Sequence, residues 1–176
     1  MAEPKPTRVL YLVSCAAPPI LAIGELIRLL QAQGWTVCLV PTPRAAGWID
    51  AASLATLTGY SVRHDYKQPE EPDTLPRADA IAVAPATFNT INKWVAGISD
   101  TFALGLLNEA LGLKLPVTVT PYAKPTLAAH PVFKANLMTL SQWGVNVLPN
   151  EIIRPRSKEE AFVWGPVVAA LTNLDT

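Results

Sequence analysis

Thr87, Asn89 and Thr90 fall in the string Ala84-Pro-Ala-Thr-Phe-Asn-Thr90, between an apolar run and a segment with helical spacing. Backbone N–H groups at a helix start have no intrahelical acceptor. With two hydroxyls and an amide beside them, they can hold an anion or the polar edge of a ring. Thr and Asn are also ordinary N-caps, and spacing alone leaves both readings open. The chemistry on offer is binding through neutral donors.

The elements that must position this string follow from periodicity. Continuous apolar runs predict buried strands over 8–13, 35–40, 79–84, 116–120 and 145–148, with a further strand ending at His64. Helical spacing predicts helices over 20–33, 42–58, 89–97, 101–111, 131–143 and 158–171, the last after a polar linker. Gly34, Gly59 and Gly144 are natural stops, and Pro43 suits a first turn. The charged stretch 65–77, with Pro69, Pro72 and Pro76, reads as a loop. Strands alternating with helices predict an α/β fold of three layers, a doubly wound parallel sheet with helices on both faces. Ligands of such sheets sit at the carboxyl ends of the strands. Those ends are Ser14–Pro19, Pro41–Ala46, Ala84–Thr90 and Thr120–Pro125.

Bulk composition narrows the function classes. At 176 residues the chain predicts a single domain, 1–176. Fourteen basic and fourteen acidic residues cancel and form no basic run, which argues against nucleic acid and anionic membrane as partners. No apolar stretch reaches the roughly 20 residues of a spanning helix, and the polar start does not resemble a signal peptide. Cys15 and Cys38 fall in or beside predicted buried strands and suggest neither a disulfide scaffold nor a metal site. A cytoplasmic location is expected. Half the residues are apolar and only 16% are charged, which fits a core plus surface covered by a partner subunit.

Pro85-Ala-Thr-Phe-Asn-Thr90 followed by Lys93-Trp-Val-Ala-Gly97-Ile-Ser-Asp100 resembles the signature region of the flavin-containing cysteine decarboxylases. The order of motifs supports the resemblance: Glu25-Leu-Ile-Arg-Leu-Leu, Val40-Pro-Thr42-Pro, Trp48-Ile, His130-Pro-Val-Phe-Lys-Ala-Asn136 and Leu140-x-x-Trp-Gly144 all fit. The family-like core is 7–150, and 151–176 is a C-terminal linker and helix. The resemblance implies a Rossmann-like flavoprotein fold, FMN as cofactor, and a homo-oligomer, a trimer or a multiple of it, with the flavin between subunits. Carried over by position, it implies that Ser14, Cys15, Ala16, Ala17 and Thr42 hold the phosphate. Pro85, Ala86, Thr87, Phe88, Asn89 and Thr90 would lie at the flavin, with Asn89 beside ring and substrate. Trp48 or Phe88 would pack on the ring, unless they are plain core.

Two departures bear on activity. The family's active-site His is replaced near its position by Glu71, and the nearest histidine is His64. The family's Pro-Ala-Met-Asn clamp is replaced by Pro121-Tyr-Ala-Lys-Pro-Thr-Leu127, which puts Lys124 where the substrate-holding Asn belongs. A lysine there can pair with a carboxylate or phosphate, or support a reduced flavin; it can also be a solvated surface residue. Tyr122 on the same stretch can donate a hydrogen bond or stack. Pro18 and Pro19 remove N–H donors from the first turn. The expectation is an FMN-binding oxidoreductase or divergent decarboxylase for an unidentified small substrate. Its candidate residues are Asn89, Lys124, and Glu71 or His64 as acid/base, with no metal. The alternative is a non-catalytic or regulatory flavin module. A flavin prenyltransferase is disfavoured by Ala16-Ala-Pro-Pro in place of a Gly-rich turn.

Overall fold

The computed structural model describes residues 7–175. Five parallel strands form one sheet in the order β2-β1-β3-β4-β5. They are β1 (Arg8–Ser14), β2 (Trp35–Pro41), β3 (Ala80–Ala86), β4 (Val117–Pro121) and the short β5 (Asn146–Val147). The chain steps outward from β1 to β2 and then back across to β3, so the order reverses between β1 and β3. Strands buried on both faces explain the continuous apolar runs. In β1, Leu10 and Leu12 enter one core layer while Tyr11 and Val13 enter the other.

The first layer is closed by α1 (Ile23–Ala32) and α8 (Gly165–Thr172), whose Leu26, Ile27, Leu30, Val167 and Leu171 are fully buried. The second is closed by α4 (Phe88–Val95), α5 (Phe102–Leu113) and α7 (Pro131–Gln142), with Trp94, Leu107 and Phe133 inside. Three short helices lie in the connections: α2 (Pro43–Ala46), α3 (Ala51–Thr58) and α6 (Pro125–Ala128). The doubly wound α/β architecture is as the sequence predicts.

Three local expectations need correction, and one short helix was missed. The helix predicted over 42–58 is two helices. Asp50 caps α3, accepting from the Ser53 N–H at 3.1 Å and from its hydroxyl at 2.6 Å, and this cap ends the continuous helix. Residues 61–64 form no strand: one bond, Arg63 N–H to the Leu39 carbonyl at 3.4 Å, ties them to β2, so His64 does not end a strand. The terminal helix starts at Gly165, because Pro166 lacks an N–H, favours a first turn and disfavours helix before it. The short helix α6, which begins at Pro125, was not predicted.

Candidate functional site at the carboxyl ends of the strands

A cleft opens above β1, β3 and β4, where the strand order reverses. Its apolar end is a cavity of about 560 Å³, walled by Trp48, Phe88, Tyr122 and Leu127, with Lys124 and Arg154 also lining it. Its polar end is a cavity of about 440 Å³, lined by Thr42, Arg44, Thr90 and Thr101. Ala16, Thr87 and Asn89 line both, so the two cavities are parts of one cleft.

The donors follow from local structure. Thr87 caps α4: its hydroxyl accepts from the Thr90 N–H at 3.4 Å and lies 3.2 Å from the Thr90 hydroxyl. Thr42 caps α2 and Thr101 caps α5, accepting from the N–H groups of Ala45 and Leu104. The Thr42 and Thr101 hydroxyls keep their own hydrogens to donate, whereas that of Thr87 goes to the Thr90 hydroxyl. The Ala16 N–H meets no backbone or side-chain acceptor among the described residues, and the same holds for the exposed Asn89 amide. Arg44 is exposed and has no ion-pair partner among them.

The predicted residues divide. Ala16, Ala17, Thr42, Trp48, Thr87, Phe88, Asn89, Thr90 and Lys124 line the cleft. Ser14 and Cys15 are buried beneath it: the Ser14 hydroxyl donates to the Ala84 carbonyl at 2.8 Å, and the Cys15 N–H donates to the Pro85 carbonyl at 2.9 Å. Pro85 and Ala86 are buried in the end of β3, where the register to β4 shifts between Val83 and Ala86. His64 and Glu71 are brought together, but elsewhere. They line a separate cavity of about 390 Å³ built by the loop after α3. There the Glu71 carboxylate accepts from the Gln68 N–H at 3.0 Å.

Two cleft residues lie outside the segments the sequence marks, Thr101 and Arg154, and Arg44 falls within Pro41–Ala46 without a role assigned to it. Thr101 carried a readable signal, a Thr ahead of an apolar helical run. Arg154 carried none, since it belongs to an irregular strap between β5 and α8. Its guanidinium lies over the Tyr122 ring, 4.0 Å from the ring centre, and donates to the Ala123 carbonyl. Its Nε stands 2.8 Å from Glu151 Oε2, within ion-pair reach but outside hydrogen-bond geometry. Tyr122 is also braced by Phe162, edge-on at 6.1 Å, and by its own N–H to the Ala86 carbonyl.

Burial governs the ionisation of nearby groups. The Cys15 thiol is pushed up by burial, opposed by hydrogen bonding to Thr90 and Thr87, and Cys38 is pushed up to about 11 by burial. Both thiols are free, buried and neutral at physiological pH. Among the described residues no His, Cys, Asp or Glu group is placed to hold a metal, and no helix is long and apolar enough to cross a membrane.

A doubly wound sheet with a half-apolar, half-donor cleft at its switch point belongs to the class of α/β folds whose ligand sites lie at the carboxyl ends of the strands. The Flavoprotein family model matches residues 2–173, and the chain belongs to that family. It is 36% identical over 83 residues to the coenzyme A biosynthesis bifunctional protein CoaBC of Thermococcus kodakarensis, covering 47% of this chain and 19% of that protein. It is 34% identical over 119 residues to a cysteine/cysteine sulfinic acid decarboxylase from an unknown prokaryotic organism, covering 64% of this chain and 31% of the relative. The matched part is thus less than a third of either relative's length. Among solved structures, the FMN-dependent cysteine decarboxylase SpaF superposes with a TM-score of 0.76 at 17% identity, covering 96% of both chains. The epidermin biosynthesis protein EpiD of Staphylococcus aureus superposes with a TM-score of 0.68 at 23% identity, covering 81% of this chain and 82% of that one. These structures share the fold.

Proposed function

We propose that this protein binds FMN and acts as a decarboxylase-like or oxidoreductase enzyme on a small substrate. The observation that carries the reading is the division of one cleft into an aromatic, apolar end and a hydroxyl-rich end with Arg44, which has no ion-pair partner among the described residues. The residues present fit the group. Trp48 and Phe88 offer aromatic surface to a ring. The Ala16 N–H, the hydroxyls of Thr42, Thr90 and Thr101, and Arg44 offer donors to a phosphate. Bound FMN would supply the redox chemistry. The chain's own part is to bind and orient: Asn89 with its free amide between the two ends, and Lys124 at the mouth as an anion contact. The names of the matched decarboxylases support this class of activity.

A specific observation favours a second reading, a flavin-binding module without turnover. No carboxylate or imidazole lines the apolar cavity among the described residues. His64 and Glu71 could act as acid/base only from across a subunit boundary, because within their own chain they line another cavity. A homo-oligomer, a trimer or its multiple, is part of the proposal. Exposed Leu21, Met138 and Trp143 give it apolar surface to cover. The two buried free thiols suit a cytoplasmic setting.

The test is to purify the protein and identify any chromophore released on denaturation. Released FMN is the expected result; a colourless protein that refuses added FMN overturns the reading. Carbon dioxide release from cysteine-terminated peptides would then separate enzyme from module.

A further inference from the structure

We infer that the amino-end side of the sheet carries a second small-molecule site, a cavity that takes a free α-amino acid with an apolar side chain. The cavity measures about 360 Å³ and lies between α5 and the segment 73–78 that leads into β3. Its walls come before β3 and β4 in the chain, whereas the cleft follows those strands, so the two sites sit at opposite ends of the sheet. Tyr11, Leu75, Ile81, Leu106 and Leu113 give it apolar walls.

The fold fixes both sides. The Tyr11 hydroxyl donates to the Pro76 carbonyl at 2.8 Å. Asp79 ties the same segment to β1 twice: its N–H donates to the Val9 carbonyl at 2.8 Å, and its carboxylate accepts from the Val9 N–H at 2.7 Å. Opposite, Lys114 ends α5 in the left-handed region at φ 54°, and the turn returns the Leu115 N–H to the Ala110 carbonyl at 3.0 Å. Walls already in place cost little to order when a ligand arrives. Leu113 is 62% exposed at the lip, so a bound side chain has apolar surface to cover.

The charges set the class of ligand. Three charged residues line the cavity, Asp73, Arg77 and Glu109, and Asp73 is taken by Arg63 at 3.1 Å. Arg77 and Glu109 are exposed and of opposite sign, yet neither side chain has a partner among the described residues. Two opposite charges that share a cavity without pairing suit a molecule that carries both. The guanidinium takes a carboxylate, Glu109 takes an ammonium, and the side chain is left for the apolar walls. A peptide terminus, a simple amine or a simple acid would satisfy only one of the two.

Calorimetric titration of the full chain with L-leucine, isoamylamine, isocaproate and glycine tests the site. Isoamylamine is leucine without its carboxylate, and isocaproate is leucine without its ammonium. Leucine is expected to bind about fivefold more tightly than either, the worth of one screened surface contact. Glycine, with no side chain for the walls, should bind more weakly than leucine. Arg77→Gln should abolish the preference over isoamylamine and keep the preference over isocaproate, and Glu109→Gln should do the reverse. Both side chains are exposed, so neither change disturbs the core, and general loosening would not produce that crossed pattern. The inference is overturned by no binding of leucine, as when a second copy covers the cavity, or by an analogue or glycine that matches leucine. It is equally overturned by a preference that survives its own variant, or by both preferences vanishing together in one variant.

Discussion

Asn150 grips Ala123 from both sides of the residue. Its side-chain oxygen accepts from the Ala123 N–H at 2.8 Å, and its amide donates to the Ala123 carbonyl at 3.0 Å. One side chain thus does for the Tyr122–Lys124 segment what a neighbouring strand would do. Asn150→Ala should cost about 1–3 kcal/mol by leaving the part-buried Ala123 N–H unpaired, the carbonyl keeping its bond from Arg154. Asn150→Asp should also be destabilising, since it keeps the acceptor but sets a carboxylate against a carbonyl. Urea denaturation of the two variants checks both.

Arg44 should distinguish FMN from riboflavin. The guanidinium lines the polar end of the cleft and is exposed, so its contribution is that of a screened surface contact, about 1 kcal/mol. Arg44→Gln is expected to raise the FMN Kd about fivefold and to leave riboflavin binding unchanged. The difference should shrink as salt is added. Fluorescence titration at two ionic strengths reads it directly, and a parallel loss for both ligands would remove Arg44 from the phosphate end.

Gly105 of α5 lies under Tyr66, so a Cβ there would overlap the tyrosine hydroxyl. That hydroxyl donates to the Ser99 carbonyl at 3.1 Å, and the ring meets Phe102 edge-on at 5.8 Å. Gly to Ala in a helix ordinarily stabilises by about 1 kcal/mol. Here Gly105→Ala should lose most of that gain by displacing Tyr66, and should recover it in a Tyr66→Ala background. A double-mutant cycle measured by denaturation gives the coupling.

Stability should fall in alkali. Cys38 rises from 9.0 to about 11 and Tyr11 from 10.0 to about 12, both chiefly through burial. Each folded-state value lies above the unfolded one, so between the two the unfolded chain has released a proton that the native chain retains. Their contribution is complete below about pH 9 and is lost as the pH rises through 11 and 12. Cys38→Ala should flatten the first part of that decline, seen in denaturation midpoints from pH 8 upward. The folded protein should also resist thiol reagents near neutral pH, because burial keeps both cysteines protonated and out of reach.

How far the sequence could be read follows from the kind of signal each part carries. The four long strands are apolar because both faces are covered, and such runs are visible without partners. The segment before His64 looks similar, yet it forms only one bond to β2 and the next strand begins at Ala80, so pairing, which is non-local, decided against it. The helix over 42–58 was misread because its apolar residues continue across Gly47–Asp50, where the Asp50 cap makes the break that exposes Trp48 to the cleft. Thr42, Thr87, Asn89 and Thr90 were legible because helix starts after buried strands are local features. Arg154 was not, because its place depends on a cation–ring contact and a backbone carbonyl 31 residues away.

The strap that carries Asn150 and Arg154 contains almost no regular structure; Ile153 and Trp164 anchor it in the first core layer, while Asn150 and Arg154 meet the cleft through polar contacts. Recognition is therefore separable from the scaffold in an evolutionary sense. Apart from the buried anchors Ile153 and Trp164, residues there can be exchanged without repacking either layer, so a lineage built on this sheet can acquire a new preference by drift along one irregular stretch while the strands and their crossovers stay as they are.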